Sequence, residues 1–257
     1  MGCYLTFIIA IKSKNGIVFA SDMQITDGND LKYEAHKIFR VNDSGLAGFA
    51  GDVWFGKRIL ALLKNDFKKE FDEGFNQFSA ERLARVIAAK IKDEKELRKN
   101  LGRQNSFSGV DMIITTINRY GEPGLLTMDS DCTPDLEYDS GFTCIGNAYN
   151  AIHPFLRSAL EKVELDKMPI QDMKIIACRA VMEASKWVNG VGEGLDIWTL
   201  SKENGAVNLE KKELDLIRDR VEEWRAFEKK AFELIRHENG KNELLRKEPD
   251  LRKNRSK

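Results

Sequence analysis

Short apolar segments separated by turns fill the first fifty residues of the chain. Apolar residues dominate positions 5 to 12 and 17 to 22, and a lysine-asparagine-glycine turn at positions 14 to 16 joins them. Asparagine and glycine supply the positive φ that a tight hairpin turn demands. The pattern therefore predicts a β-hairpin here, followed by two more short strands at positions 36 to 41 and 45 to 50.

Amphipathic segments follow these strands. Apolar residues recur at helical spacing from Val53 to about Phe71 and from Ser79 to about Leu101, and Ser79 is the predicted N-cap of the second helix. Further strands are predicted at 109 to 117, 123 to 128, 141 to 145 and 194 to 201, and further helices at 149 to 161 and 170 to 187. This order predicts an α+β fold, a four-layer αββα sandwich with two stacked sheets between helix layers.

A helical segment is predicted beyond the sandwich, from residue 209 to about 238. Its apolar residues fall at alternating three- and four-residue spacing, and Glu228 interrupts them: Leu214, Ile217, Val221, Trp224, Ala231 and Ile235. We expect this stripe either to pack on its own domain or to contact a neighbouring subunit or partner. The predicted organisation is a domain over residues 1 to 208 and a helical extension over 209 to 257, with a frayed, charged tail from Glu238.

The composition argues against binding to nucleic acid or to a membrane. The 257 residues are 42% hydrophobic and carry 41 basic and 41 acidic side chains. This balance gives no electrostatic case for binding nucleic acid or an anionic membrane. No apolar run approaches the roughly 20 residues of a spanning helix, and no secretory leader is recognisable. We therefore expect a cytoplasmic enzyme-sized protein that binds neither nucleic acid nor a membrane.

The cysteines and histidines predict no metal site. They are spread along the chain without the close pairing of zinc ligands, at Cys3, Cys132, Cys144, Cys178, His36, His153 and His237. Cys144 and Cys178 fall in apolar segments, which is typical of small buried side chains. We expect neither a metal nor another cofactor.

Three motifs in the first fifty residues carry the strongest functional signal. They are DMQITDGN, HKIFRV and LAGFAGD, and they place Asp22 and Lys37 downstream of a threonine, Thr6, at the start of the first strand. Their order resembles the proteasome core β-subunits and the simpler bacterial peptidase HslV. The later segments GVDMIITTIN, IGNAYNAIHPFLR and GLDIWTLS also resemble this family, so that the similarity covers about residues 5 to 208.

The resemblance implies an N-terminal-nucleophile (Ntn) hydrolase. Thr6 would be the nucleophile after removal of residues 1 to 5, and its freed α-amine, which titrates near pH 7.7 to 8.0, would be the base. Lys37 would favour the neutral amine, and Asp22 would hold Lys37. Gly48 would donate its backbone N–H to the oxyanion. Asn147 replaces the serine of the family's Ile-Gly-Ser-Gly turn and keeps a hydrogen-bonding side chain.

The sequence departs from the family pattern around the threonine. Leu5 stands where family precursors carry a glycine that favours self-cleavage. Val188 and Val191 align with an aspartate and a serine that support the threonine in the family. If the alignment to the family pattern is shifted by one residue here, Asn189 falls near the site instead.

Cys3 is an alternative nucleophile, because Gly2 precedes it in the family's glycine-before-nucleophile pattern. Thr6, however, lies ten residues before Gly16, which is the family distance, and this spacing favours the threonine. The start MGCYLT also fits the myristoylation pattern, but no basic cluster follows to secure a membrane anchor.

The sequence therefore predicts a threonine-type peptidase that cleaves peptide or protein substrates. Family resemblance implies a homo-oligomeric ring that works with an unfolding ATPase or a second ring subunit. Two alternatives stay open: a catalytically silent structural or regulatory subunit, and an Ntn amidohydrolase that acts on a small amide.

Overall fold

The computed structural model describes residues 6–26, 32–100, 109–136, 140–161 and 163–236. Leu5, the alternative nucleophile Cys3 and the charged tail lie outside the described residues. The strands of the described residues are β1 Phe7–Ser13, β2 Gly16–Asp22, β3 Gln24–Thr26, β4 Lys32–Glu34, β5 Ile38–Asn42, β6 Gly45–Gly51, β7 Val110–Ile117, β8 Pro123–Met128, β9 Pro134–Leu136, β10 Phe142–Gly146, β11 Leu195–Ser201 and β12 Gly205–Asn208. Their helices are α1 Val53–Asp66, α2 Lys68–Glu73, α3 Gln77–Asn100, α4 Tyr149–Leu160, α5 Ile170–Trp187 and α6 Lys211–Arg236.

Two five-stranded antiparallel sheets form the centre of the molecule. The first has the strand order β10-β1-β2-β11-β12 and the second β5-β6-β7-β8-β9, while β3 and β4 pair separately. An apolar layer lies between the two sheets, and separate clusters join the first sheet to α4 and α5 and the second sheet to α1, α2 and α3. The predicted αββα sandwich is confirmed.

Alternation along β1 shows why its sequence is almost continuously apolar. Phe7, Ile9 and Ile11 face the helices α4 and α5, whereas Ile8 and Ala10 face the second sheet. Because side chains of a strand point alternately to its two faces, a strand covered on both faces needs apolar residues at every position. The threonine that precedes β1 is thereby fixed at one end of a buried strand.

The first hairpin has a different turn from the one predicted. Ser13 pairs with Gly16, so the loop contains two residues, but Asn15 does not adopt a positive φ. Gly16 itself is close to extended, at φ +159°. Glycine is required there for space, because a Cβ would come within 2.2 Å of the Leu200 carbonyl oxygen on β11.

Two helix predictions were also wrong in detail. The segment predicted as one helix from Val53 to Phe71 is two helices, α1 and α2, because the chain leaves helical geometry at Phe67, with φ −124°. Ser79 is not an N-cap, since α3 begins at Gln77. The Asn76 side chain accepts from the Ser79 N–H and the Ser79 hydroxyl accepts from the Asn76 N–H, each at 2.9 Å. This reciprocal pair is a capping box.

The last helix, α6, packs mainly against α5. Ile217 and Val221 join the cluster that α5 forms with the first sheet. Glu228, which interrupts the apolar stripe, accepts two hydrogen bonds from Arg179 of α5, at 2.8 and 2.7 Å. The Arg179 guanidinium also lies over the Trp224 ring, 4.0 Å from its centroid. The first part of the stripe thus packs on its own domain.

Beyond Glu228 the same face of α6 is exposed. Phe232 and Ile235 continue the stripe at helical spacing, yet 69% and 52% of their surface is accessible. No helix of the described ranges combines the length and the apolar character needed to cross a membrane.

Candidate active site

A buried carboxylate, that of Asp22 at the end of β2, organises the site. One of its oxygens, Oδ1, accepts hydrogen bonds from the Lys37 Nζ at 2.7 Å, the Phe7 N–H at 2.9 Å and the Thr6 hydroxyl at 3.3 Å. The other, Oδ2, accepts from the N–H groups of Gly192 at 3.0 Å and Gln24 at 3.1 Å. A buried charge needs such partners, because it has lost its hydration. Three sequence-predicted residues therefore meet at one point.

Lys37 immediately precedes β5 and is itself buried. Burial lowers the pKa of its ammonium group, and the neighbouring Asp22 carboxylate opposes that shift through its charge and its hydrogen bond. An ammonium group with a lowered pKa gives up its proton more readily than a solvated lysine. Lys37 and the Thr6 hydroxyl thus bind the same carboxylate oxygen. The Asp22 charge favours the protonated form of Lys37.

Thr6 is held on two sides at the start of β1. Its side chain reaches Asp22, and its carbonyl oxygen accepts from the Asn147 N–H at 3.0 Å. Gly146, the residue before, has φ +97°, and a Cβ there would come within 2.2 Å of the Thr6 carbonyl oxygen. Asn147 therefore contacts the threonine through its backbone, while its side chain is exposed. The side-chain role that the resemblance implies for Asn147 stays a prediction.

Gly48 lies inside β6, opposite Ile38 of β5 and Ile113 of β7. Successive residues of a strand direct their N–H groups to opposite sides. The Phe49 N–H donates to the Lys37 carbonyl oxygen on the β5 side, at 3.2 Å, so the Gly48 N–H faces β7. This register does not support the predicted oxyanion role of Gly48 while β6 and β7 stay paired.

Gly51, at the end of the same strand, directs its N–H the other way. The Asp52 N–H donates to the Gly109 carbonyl oxygen at 3.2 Å on the β7 side. The Gly51 N–H lies two residues after the Phe49 N–H on the same strand, so alternation directs it to the same side, towards β5. Because β5 begins one residue after Lys37, Gly51 extends past the end of that strand. Its N–H is thus directed to the side of the sheet where the buried lysine lies.

The segment before β11 contributes a contact that sequence reasoning missed. Gly192 donates to Asp22 and approaches Gln24 so closely that a Cβ would come within 2.3 Å of the Gln24 Cβ. The signal was a glycine two residues before the recognised GLD strand motif, but a backbone donor leaves no trace in side-chain chemistry.

Val188 and Val191, where the sequence departs from the family pattern, are part of the apolar interior. Val191 is buried, and Val188 packs against the same cluster. Neither brings a carboxylate or hydroxyl to the threonine. Asn189, the alternative under a shifted alignment, is exposed and makes no hydrogen bond to the described site residues.

The side chains around Asp22 include the groups that acyl-transfer chemistry uses. A hydroxyl beside a buried lysine-aspartate pair can act as a nucleophile once a base is adjacent. Within the described ranges, no three histidine, cysteine, aspartate or glutamate side chains form a group suited to a metal ion. In the uncleaved chain, the Thr6 nitrogen belongs to a peptide bond with Leu5 and is not basic.

Two stacked sheets between helix layers, with a threonine at the start of the first strand beside a buried lysine-aspartate pair, define a proteasome-like Ntn hydrolase fold. A family model described as "Proteasome subunit" matches residues 6–200, so its first matched residue is Thr6. The chain belongs to the proteasome subunit family.

Two archaeal relatives agree with this assignment. The chain is 26% identical over 212 residues to a "Proteasome subunit beta" of Methanopyrus kandleri, a match that covers 82% of this chain and 93% of the relative. It is 23% identical over 202 residues to a "Proteasome subunit beta 1" of Pyrobaculum calidifontis, which covers 78% and 92%. The chain is thus similar to β-type subunits over most of its length.

Proposed function

We propose that this protein is a threonine-type peptidase that becomes active when the bond between Leu5 and Thr6 is cleaved. One observation carries the proposal: the Thr6 hydroxyl, the Lys37 ammonium and three backbone N–H groups converge on the buried Asp22 carboxylate. The family match that begins at Thr6 supports the same position for the new N-terminus.

The proposed reaction uses the N-terminus that cleavage creates. The α-amine of Thr6 takes the hydroxyl proton while the oxygen attacks the substrate carbonyl carbon. The tetrahedral intermediate collapses when the protonated amine gives that proton to the leaving amine, and an ester of Thr6 remains. Water, deprotonated by the same α-amine, then hydrolyses the ester and restores the hydroxyl. Lys37 favours the neutral amine, and Asp22 fixes Lys37.

The glycine-rich end of β6 is the proposed source of the oxyanion donor. The Gly51 N–H already faces the side of Lys37, whereas the Gly48 N–H could serve only if β6 separated from β7 at that point. Removing one oxyanion donor typically lowers kcat by about 10²–10³. Because of these N–H directions, the uncleaved chain favours Gly51 as the donor, whereas Gly48 requires a local rearrangement of β6.

The assembly and the substrate are parts of the proposal. Both relatives are named as proteasome β subunits. We infer a homo-oligomeric ring that acts on peptides or unfolded proteins in the cytoplasm, together with an ATPase or a second ring subunit.

A catalytically silent subunit is the second candidate. It is favoured by the apolar packing of Val188 and Val191, because no carboxylate or hydroxyl reaches the threonine from that segment. In such a subunit, Leu5 stays joined to Thr6 and the lysine-aspartate pair has only a structural role.

The deciding experiment is the intact mass of the purified protein beside that of Thr6→Ala. Thr116→Ala, a buried threonine of β7 away from Asp22, is the matched control. Self-processing predicts that wild type and Thr116→Ala begin at residue 6 and hydrolyse fluorogenic peptides, whereas Thr6→Ala keeps residues 1 to 5. If all three chains keep Leu5, the peptidase proposal fails and the silent subunit is supported.

A further inference from the structure

We propose that Arg98 is a positioning residue, which fixes the glycine-rich end of β6 through the carboxylate of Asp52. This inference rests on the proposed function, because the positioned backbone is the proposed oxyanion side of the site. It concerns a residue on α3, in the helix layer outside the second sheet, far along the chain from Thr6.

Asp52 joins three elements at the end of β6. Its N–H donates to the Gly109 carbonyl oxygen beside β7, at 3.2 Å. Its Oδ1 accepts from the Phe55 N–H at 2.9 Å and so caps α1. Its Oδ2 accepts from a guanidinium nitrogen of Arg98 at 2.9 Å. The backbone that directly follows Gly51 is therefore held by the segment before β7, by α1 and by α3 together.

Arg98 is oriented from its own helix. Glu94, one turn earlier on α3, accepts from the Arg98 Nε at 2.7 Å and also pairs with Arg58 of α1. Glu94 and Asp52 are both buried, so their charges need these guanidinium partners. Charge-assisted bonds from a planar guanidinium fix direction as well as distance. Arg98 thus links α3 to Asp52, the N-cap of α1.

Capping alone does not explain this arrangement. Asparagine caps a helix about as well as aspartate, so the cap of α1 does not need a charged residue. Among the described residues, Arg98 is the cation that pairs with the Asp52 carboxylate, and this ion pair falls on the residue that follows Gly51. A displacement of about 1 Å in a catalytic group can lower a rate about 100-fold. Loosening Asp52 should therefore affect turnover more than folding.

The test compares wild type with Arg98→Met, Arg98→Lys, Asp52→Asn and the control Arg85→Met. Arg85 is an exposed residue of the same helix, so the control removes the same charge without touching Asp52. For each protein, peptidase kcat and KM are measured on the processed enzyme. Amide hydrogen exchange of the peptide covering residues 46 to 52 is measured by mass spectrometry.

We expect Arg98→Met and Asp52→Asn to lower kcat about 10- to 100-fold with KM within about twofold, and to raise exchange in residues 46 to 52. Arg98→Lys should recover part of both, and Arg85→Met should match wild type. Unchanged kcat and exchange in Arg98→Met and Asp52→Asn would overturn the inference. A wild-type protein without peptidase activity would instead refute the proposed function, and the exchange measurement would still decide the role of Arg98.

Discussion

The Gly192 N–H donates a hydrogen bond of 3.0 Å to Oδ2 of Asp22, across the junction between the segment before β11 and the end of β2. Together with the Gln24 N–H, it occupies the oxygen that faces away from Lys37. Oδ1 is thereby directed to the lysine and the Thr6 hydroxyl. Backbone groups, not side chains from the segment of Val188 and Val191, orient the aspartate.

Replacing Lys37 by methionine should destabilise the protein strongly. The substitution leaves the Asp22 carboxylate buried without a cation, and breaking a buried ion pair in this way typically costs about 3–5 kcal/mol. The free energy of unfolding from urea titration measures the effect. Peptidase activity should also be lost.

Two further variants test the electrostatic origin of that loss. Adding Asp22→Asn to Lys37→Met should recover part of the stability, because the unpaired charge is removed. Arg220→Met breaks an exposed pair with Glu223 and should change stability by less than about 1 kcal/mol. A double variant less stable than Lys37→Met would contradict this account.

Stability should depend on alkaline pH through Lys37. Burial lowers its pKa in the folded state below the ordinary 10.5. Between the lowered value and 10.5, the unfolded chain binds more protons than the folded chain, so the free energy of unfolding rises with pH in this window. Urea titrations from neutral pH to about pH 10 should show this rise in wild type, but not in Lys37→Met. A parallel pH dependence in both proteins would rule out the assignment.

Gly146→Ala should cost more stability than Gly121→Ala. Both glycines have similar positive φ values, +97° and +90°, which L side chains rarely adopt, so both substitutions strain the backbone. An added Cβ at residue 146 would collide with the Thr6 carbonyl oxygen at 2.2 Å, whereas at residue 121 it meets only the flexible Lys202 side chain at 3.2 Å. We expect about 1 kcal/mol for Gly121→Ala and at least twice that for Gly146→Ala. Equal losses in thermal unfolding would show that the contact with Thr6 is relaxed easily.

The two parts of α6 should respond differently to truncation of their apolar side chains. Val221 is fully buried against α5, and Val221→Ala should destabilise by about 2 kcal/mol. Phe232 lies on the same stripe but is exposed, so Phe232→Ala should stay within about 0.5 kcal/mol. A large loss for Phe232→Ala in urea unfolding would mean that its ring is covered, in solution, by a second copy or a partner.

Long periodic segments explain why the layers could be predicted from the sequence. β8 and α5 begin and end where apolar spacing and flanking residues predict, at Pro123–Met128 and Ile170–Trp187. The short strands β3, β4, β9 and β12 were missed, because three or four residues carry too little periodicity to separate from loops. The break at Phe67 was missed for a similar reason, since apolar spacing continues across it.

The site could be predicted only where side chains carry the chemistry. Thr6, Asp22 and Lys37 were found because a hydroxyl, a carboxylate and an ammonium group at this spacing resemble a known family. Gly192 contributes a backbone N–H, a group that nearly every residue carries and that no side chain in the sequence marks as a donor to Asp22. Gly48 was selected from a motif, whereas strand register decides which N–H faces the site, and register is set by pairing with β5 and β7.

The helix α6 covers α5 and takes no part in the described contacts around Asp22 and Thr6. The family match ends at residue 200, and α6 begins at Lys211, so the helix that covers α5 is encoded outside the matched region. None of its side chains reaches Asp22 among the described contacts. Changes on the outer face of α6 should therefore alter what meets the α5 side of the sandwich without altering the contacts around the threonine.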